Sequence, residues 1–375
     1  MQNGDIAAWL GVMLSGASVA YLLLAIAAVT LKRPRDRACE NSDDLPPITV
    51  LKPLCGDEPC LYEALRSFCL QDYPLYQIIF GVQDGADEAC LIVERLQREF
   101  PDLDLKLVVD ERISGQNLKV SNLSNMLGWA RHDYVVISDS DVFVEGEYLR
   151  KIAALLKQPD VGLVTCMYRA RSLPQSASRF GALFIDDWFM PAVMVSRLLG
   201  VQSFVSGVTM ALRRDVLSEL GDFDEVTDSI ADDYMLGCAV RRLGLRTVIA
   251  PFFVETMVAE NNLYDVARHE LRWMSTIRSV QPFGYAFSGV TCGITLPLLG
   301  VFMSGDAPSL VYVLGGALLL RLILHCLSTK KTLVSMIRSV WLLPARDLFV
   351  FGVWVAGFFY RSVSWREKAI AVSNV

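Results

Sequence analysis

The run Tyr134-Val135-Val136-Ile137-Ser138-Asp139-Ser140-Asp141 joins four residues of strand-forming type to two carboxylates one residue apart. Aromatic and β-branched side chains favour extended backbone, and the run is too short for a helix. Residues two apart on a strand project to the same side, so Asp139 and Asp141 share a face where the strand ends. Two such carboxylates can share a divalent cation, and all-oxygen ligation of that kind suits Mg2+ or Mn2+. An Asp-x-Asp taken alone reads as a solvated acidic turn. What surrounds this one changes the reading.

Outward from it, residues 48–51, 77–82, 105–109 and 161–167 are further short runs rich in Val, Ile and Leu. Between them, 60–70, 88–100, 118–130 and 146–157 show helical spacing of apolar residues. Repeated β-α-β units predict an α/β domain with a mainly parallel sheet between helices. Ligands of such sheets sit beyond the carboxyl ends of the strands. Asp84 and Asp110 follow the second and third strands as Asp139 and Asp141 follow the fourth. Later come a helical pattern over 180–199 with Asp186 and Asp187, a strand at 208–212, a helix over 229–243 with Asp232 and Asp233, and a last element over 263–280. Asp232 and Asp233 sit in the apolar run Ile230-Ala231-Asp232-Asp233-Tyr234-Met235-Leu236 near a helix start. The backbone dipole there would account for one carboxylate, but a pair in an apolar setting needs partners or a task, such as taking a proton from an alcohol. His269-Glu270-Leu271-Arg272-Trp273 places a guanidinium beside an indole, suited to a diphosphate and a sugar face, or to an interfacial helix.

The 375 residues are 53% hydrophobic, too apolar for an ordinary soluble enzyme. The excess lies at the ends. Residues 6–31 carry no charge, lack a basic stretch before them and are followed by Lys32, Arg33, Arg35 and Arg37, which predicts a retained anchor with the next domain on the cytoplasmic side. Residues 285–303 and 310–327 are of membrane length, whereas 341–360 is interrupted by Pro344, Arg346 and Asp347 and reads as re-entrant or interfacial. Lys330, Lys331, Arg338, Arg361, Arg366 and Lys368 flank it, putting both of its ends on the cytoplasmic face. The expected organisation is an anchor (1–31), a linker (32–47), a catalytic domain (48–282) and a membrane region (283–375). A net charge of −6 leaves no basic face for nucleic acid. Nine cysteines without a CxxC pair and three histidines argue against a cysteine-histidine zinc site and suit a reducing compartment.

The series Leu51-Lys52-Pro53-Leu54, Gln83-Asp84, Asn117 to Leu123, Asp139-Ser140-Asp141, Ile230 to Tyr234 and His269-x-x-Arg272-Trp273 resembles the ceramide glucosyltransferase family, with Arg346-Asp347 and Ser364-Trp365-Arg366 extending the likeness. Within it the chain is especially similar to bacterial hopanoid-biosynthesis glycosyltransferases. The resemblance implies a GT-A fold and an inverting mechanism, with a UDP-sugar donor and a lipid acceptor. It implies that Pro53, Asp84, Lys119, Asp139, Arg272 and Trp273 serve the nucleotide-sugar, that Asp139 and Asp141 hold Mn2+ or Mg2+, and that Asp233 is the catalytic base. Asp187, Asp232 and His269 remain auxiliary or acceptor-side candidates. His269 stands where the family has Arg or Gln, and Asp187-Trp188 where animal ceramide enzymes carry a histidine. The implied reaction moves a hexose or N-acetylhexosamine to a hopanoid polyol, in a multi-pass protein of the bacterial inner membrane. The alternatives are glucosylceramide synthesis, a processive polysaccharide synthase, which would need more clear spans, and a lipid-binding protein on a degenerate transferase domain.

Overall fold

The structure is a computed structural model describing residues 3–31, 45–201, 204–304, 308–328, 337, 339–360, 362–365 and 368–371. It forms two compact units: Pro34–Arg171 with Gln202–Met257, and Met1–Arg33 with Ser172–Val201 and Val258–Val375.

The first, the sheet unit, is built on eight strands: β1 (Ile48–Pro53), β2 (Tyr76–Val82), β3 (Asp104–Val109), β4 (Tyr134–Ile137), β5 (Val142–Phe143), β6 (Val161–Ser172), β7 (Met210–Arg213) and β8 (Arg246–Val258). Their order is β3-β2-β1-β4-β7-β6-β8-β5. β3, β2, β1 and β4 are parallel, with Val50 of β1 opposite Ile78 of β2 and Val136 of β4. Beyond β4 the sheet departs from the parallel expectation: β7 pairs antiparallel with β4 and with β6, and β5 with β8. In the parallel half a helix separates each strand from the next, which a parallel return needs. Beyond β4, helices again separate most strands, but β7 inserts between β4 and β6, and β5 lies at the far edge against β8, so direction there follows from which strands lie adjacent.

All six residues of β1 and all seven of β2 are buried, as expected of central strands covered on both faces. The helices are α2 (Leu61–Cys69), α3 (Ala89–Glu99), α4 (Leu118–Leu127) and α5 (Tyr148–Leu156), then α8 (Arg214–Glu219) and α9 (Asp232–Arg242). α4 brings Leu123 and Met126 against Leu51, Ile79 and Ile137 of the sheet. It sits so close that a Cβ at Gly81 would fall within 2.6 Å of Met126 and Asn122. The Asn122 amide instead donates to the Gly81 carbonyl at 2.8 Å.

The helical unit contains α1 (Asn3–Thr30), then α6 (Ser176–Phe184), a π-turn (Ile185–Phe189) and α7 (Met190–Leu198) in succession. α10 (Leu263–Val280), α11 (Pro282–Phe287), α12 (Thr295–Ser304), α13 (Pro308–Ser328) and α14 (Leu343–Gly357) complete it, with an antiparallel hairpin of β9 (Ser362–Trp365) and β10 (Lys368–Ala371). Residues 172–201 and 258–282, read from sequence as part of one catalytic domain, belong to this unit. Ile6–Thr30 and Leu310–Ser328 are each long and apolar enough to cross a membrane. The membrane-length stretch over 285–303 is bent: Pro282–Thr291 and Thr295–Met303 meet at 76°. Cys292 leaves helical geometry at ψ 78°, and the freed amide of Ile294 is taken by Asp347 Oδ2 at 2.9 Å. Pro344, which interrupts the apolar run in sequence, lies in the first turn of α14, where proline costs no helical hydrogen bond. At 15 residues, α14 is about 22 Å long, short of a hydrocarbon core of roughly 30 Å. The basic flanks at 32–37, 330–331, 338, 361 and 366 lie outside the described residues.

Candidate active site

Because β1, β2 and β4 are parallel, their carboxyl ends present Pro53, the loop holding Asp84, and Asp139 along one edge of the sheet. α4 delivers Lys119 to that edge. Asn117 starts α4 with its side-chain oxygen on the amides of Lys119 and Val120, while its side-chain nitrogen donates to Ser229 O at 2.7 Å and lies 3.4 Å from Asp232 Oδ1. One N-cap thus fastens the start of α4 to the segment that begins α9.

Lys119 Nζ lies 2.6 Å from Asp139 Oδ1 and 3.4 Å from Asp232 Oδ2. Burial alone would lower the lysine pKa, but Asp139 and Asp232 outweigh it and hold the ammonium well above its ordinary range. Asp233 follows in the first turn of α9. Its Oδ2 accepts the Gly207 amide at 3.0 Å and its Oδ1 the Tyr234 amide at 2.7 Å. Burial, reinforced by Asp232 and opposed by Lys119, raises the Asp233 carboxyl to about 7. Asp141 accepts the Thr256 hydroxyl at 2.7 Å, and burial together with Asp139 pushes it up to about 7.

Sequence reasoning gave Lys52 no role of its own. It is wholly buried, its Nζ donates to the Asp139 carbonyl and stands 4.0 Å from the centre of the Phe68 ring. Burial lowers it to about 7 against the pull of Asp141 and Asp139. Its signal was a lysine inside the apolar run Ile48 to Leu54. Glu58, which accepts the Ser140 hydroxyl at 2.5 Å, and Gly207 had none.

Asp139, Asp141, Asp232, Asp233 and Lys119 are therefore brought together. Asp84 is exposed in a local turn, its Oδ1 on the Ala86 amide at 2.9 Å. Asp187, His269, Arg272 and Trp273 belong to the helical unit. There His269 Nδ1 meets Glu260 at 2.5 Å and its ring packs edge-on to Trp273 at 4.7 Å.

Among the described residues, no group of three or more His, Cys, Asp or Glu side chains is arranged to hold a metal. Two crowded carboxylates, one wholly desolvated, nevertheless suit a hard cation that takes its remaining oxygens from water and phosphate, as Mg2+ does. Asp139 and Asp141 fit that role by donor chemistry.

The sequence pattern of glycosyl transferase family 21 matches residues 12–374. The chain belongs to that family. Fellow sequences similar to this family 21 chain include ceramide glucosyltransferase 1 of Caenorhabditis elegans, 26% identical over 234 residues, covering 62% of this chain and 50% of the relative. An N-acetylglucosaminyltransferase of Rhizobium meliloti (strain 1021) is 25% identical over 248 residues, covering 62% and 56%. The chain spans about half the length of the curated relatives it matches. Among solved structures, the mannosyltransferase PcManGT from Pyrobaculum calidifontis, in complex with GDP-Man and Mn2+, is 20% identical with a TM-score of 0.56, covering 94% of this chain and 98% of that one. This likeness shows a GT-A fold for the family 21 chain.

Proposed function

We propose that this protein transfers a sugar from a UDP-sugar to the hydroxyl of a membrane lipid, with inversion at the anomeric carbon. The observation that carries the reading is a carboxyl raised to about 7, that of Asp233, held at the carboxyl edge of the sheet beside Lys119 and the Asp139–Asp141 pair. Asp233 takes the proton of the attacking hydroxyl, the oxygen bonds to the anomeric carbon, and the bond to the nucleoside diphosphate breaks with its electron pair on the leaving phosphate. A general base with its pKa near the working pH combines a useful ionised fraction with a useful proton affinity.

The amides of Gly207 and Tyr234 fix the Asp233 carboxylate, and Lys119 keeps Asp139 and Asp232 from repelling each other. Mn2+ or Mg2+, held by Asp139 and Asp141, would offset negative charge developing on the departing diphosphate. Pro53 and Asp84 are assigned to the nucleotide by their strand-end places in the family motifs, and Arg272 and Trp273 to the donor by the Arg-Trp motif. His269 and Asp232 act as supports of neighbouring groups.

The acceptor has two candidates: ceramide, which the name of the C. elegans relative carries, and the hydroxylated hopanoid lipid that the motif resemblance implies. We favour the hopanoid polyol, with glucose or N-acetylglucosamine as the sugar, in a bacterial inner membrane with the sheet unit facing the cytoplasm. Purified protein in detergent, given UDP-glucose or UDP-N-acetylglucosamine and either lipid, should yield one glycolipid detectable by mass spectrometry. Release of UDP with no lipid product in any combination would remove the reading. Accessibility of single cysteines in the sheet unit to a membrane-impermeant reagent in sealed vesicles tests the orientation.

A further inference from the structure

The helical unit holds a set of buried charges that the reaction above does not use. Arg346 donates to Glu270 at 2.5 Å, Arg321 to Asp347 at 3.1 Å, and Asp187 Oδ2 meets His325 Nδ1 at 2.6 Å. Arg321 is within electrostatic reach of both Asp347 and Asp187, and Arg346 of Asp347 and Arg321, so the pairs form one network. All six side chains are at least nine-tenths buried, among helices apolar enough to meet lipid. Charges in such a setting face the pairing they need or mark a functional site.

As interhelical ties alone the pairs would be complete, but they are not. Nε and Nη1 of Arg346, both Nη atoms of Arg321, Oε2 of Glu270, Oδ1 of Asp187 and Nε1 of the adjoining Trp188 are enclosed and have no hydrogen-bond partner among the described residues. Buried polar atoms are almost always paired, and in a membrane no bulk water is at hand to serve them. Asp187 and Trp188 lie on the π-turn Ile185–Phe189, an irregularity that is frequent at functional sites. Trp188 stacks on Phe184 at 4.8 Å, and Phe184 packs on Trp273 at 5.7 Å, so one ring separates the network from the Arg-Trp motif.

The unpaired atoms also define what they would accept. Each guanidinium already has a carboxylate, so an added phosphate or ammonium would meet a like charge in the same network. What remains is N–H donors on Arg321, Arg346 and Trp188 and oxygen acceptors on Asp187 and Glu270. A neutral group that both donates and accepts satisfies both kinds, and among biological headgroups that is a set of hydroxyls.

We propose that Asp187, Trp188, Arg321, Arg346 and Glu270 bind the hydroxyl-bearing polar end of the acceptor lipid. This deepens the lipid-transfer reading and rests on it. The site would select acceptors with several hydroxyls over a lipid with one, because a single hydroxyl leaves most of the buried donors unpaired.

The test compares octadecane-1,2,3,4-tetrol with 1-octadecanol as acceptors for purified full-length protein in detergent, under both UDP-sugars. Wild-type protein should favour the tetrol by about 100-fold in kcat/KM. Trp188→Phe keeps an aromatic ring against Phe184 and removes the N–H with the five-membered ring that carries it, and Asp187→Asn removes one acceptor charge. Each should raise the tetrol KM and shrink that preference to about 10-fold or less, with a smaller loss toward 1-octadecanol and the donor KM unchanged. If Asp187→Asn does not fold, Trp188→Phe still decides. Equal loss toward both alcohols, or an unaltered preference, overturns the site while leaving lipid transfer standing. Absence of transfer to either alcohol, to ceramide and to a hopanoid polyol overturns the lipid-transfer reading and this inference together.

Discussion

The amide of Gly207 donates to Oδ2 of Asp233 at 3.0 Å, and the same residue's carbonyl accepts the Asp139 amide at 3.2 Å. One peptide segment, at the foot of β7, thus sets the spacing between the proposed base and the acidic triplet. A Cβ built on Gly207 would stand 2.7 Å from Asp139 Oδ2 and 2.8 Å from Lys119 Nζ.

Gly207→Ala should therefore shift the Asp139 carboxylate and the lysine without removing either. Displacements of about 1 Å at reacting groups can cost on the order of 100-fold in rate, and a loss of that order in kcat is expected. The thermal unfolding midpoint should change little, since the three atoms nearest the methyl group belong to the side chains of Asp139 and Lys119. A variant with wild-type turnover would show that this spacing does not govern the reaction.

The triplet itself gives a second expectation. Activity should vanish in chelator and return with Mn2+ or Mg2+, and Asp139→Ala and Asp141→Ala should each lose nearly all turnover while keeping a wild-type circular dichroism spectrum. Titration calorimetry with Mn2+ in the presence of UDP reads the site without reference to turnover, and both variants should lose that heat. Full activity in chelator rules the metal role out.

Lys119 is the charge that makes this acidic group tolerable. Replacing it with methionine removes the attraction that lowers the Asp233 carboxyl, so the base should become harder to ionise. The acid limb of the kcat/KM profile should move upward by on the order of one pH unit, whereas Lys119→Arg should move it less. Donor affinity should also fall if Lys119 contacts the nucleotide-sugar. An unmoved acid limb in Lys119→Met would separate the lysine from the base.

Much of this arrangement is legible in the sequence. The strand-then-carboxylate pattern at 134–141 and the alternation of short apolar runs with helical spacing found the parallel half of the sheet, because period and burial leave a direct mark on residue type. The antiparallel half left no such mark. Pairing direction there follows from which strands lie adjacent after long detours, as when β7 returns beside β4 after residues 172–201 have joined the other unit. The break at 292–294 was equally hidden, since hydropathy over 285–303 is continuous and the buried Asp347 that accepts the freed amide lies some fifty residues on. Gly207 and Lys52 show the same limit at the site. A glycine matters there because two side chains approach it, and a lysine because three carboxylates surround it, and neither fact is local in sequence.

The most discriminating expectation concerns pH. A general base works ionised, so kcat/KM should rise as pH rises through the pKa of Asp233 and level off above it. An unperturbed aspartate would have reached that plateau by about pH 5. Burial and Asp232 put Asp233 at about 7, so half-maximal activity is expected near pH 7 with a tenfold fall per unit below it. Asp141 has a similar pKa when no cation is bound, and saturating Mn2+ would keep it ionised and take its titration out of the window. The limb that persists under those conditions belongs to Asp233. Asp233→Asn keeps the shape and deletes the proton acceptor, so it should abolish most turnover and the limb with it, while UDP-sugar binding by calorimetry stays close to wild type. Asp232→Asn, which removes the neighbouring charge that raises Asp233, should instead leave most turnover and shift the limb downward. If Asp233→Asn retains both the rate and the limb, the base is a different residue; if it loses only donor affinity, Asp233 holds the nucleotide-sugar and takes no proton.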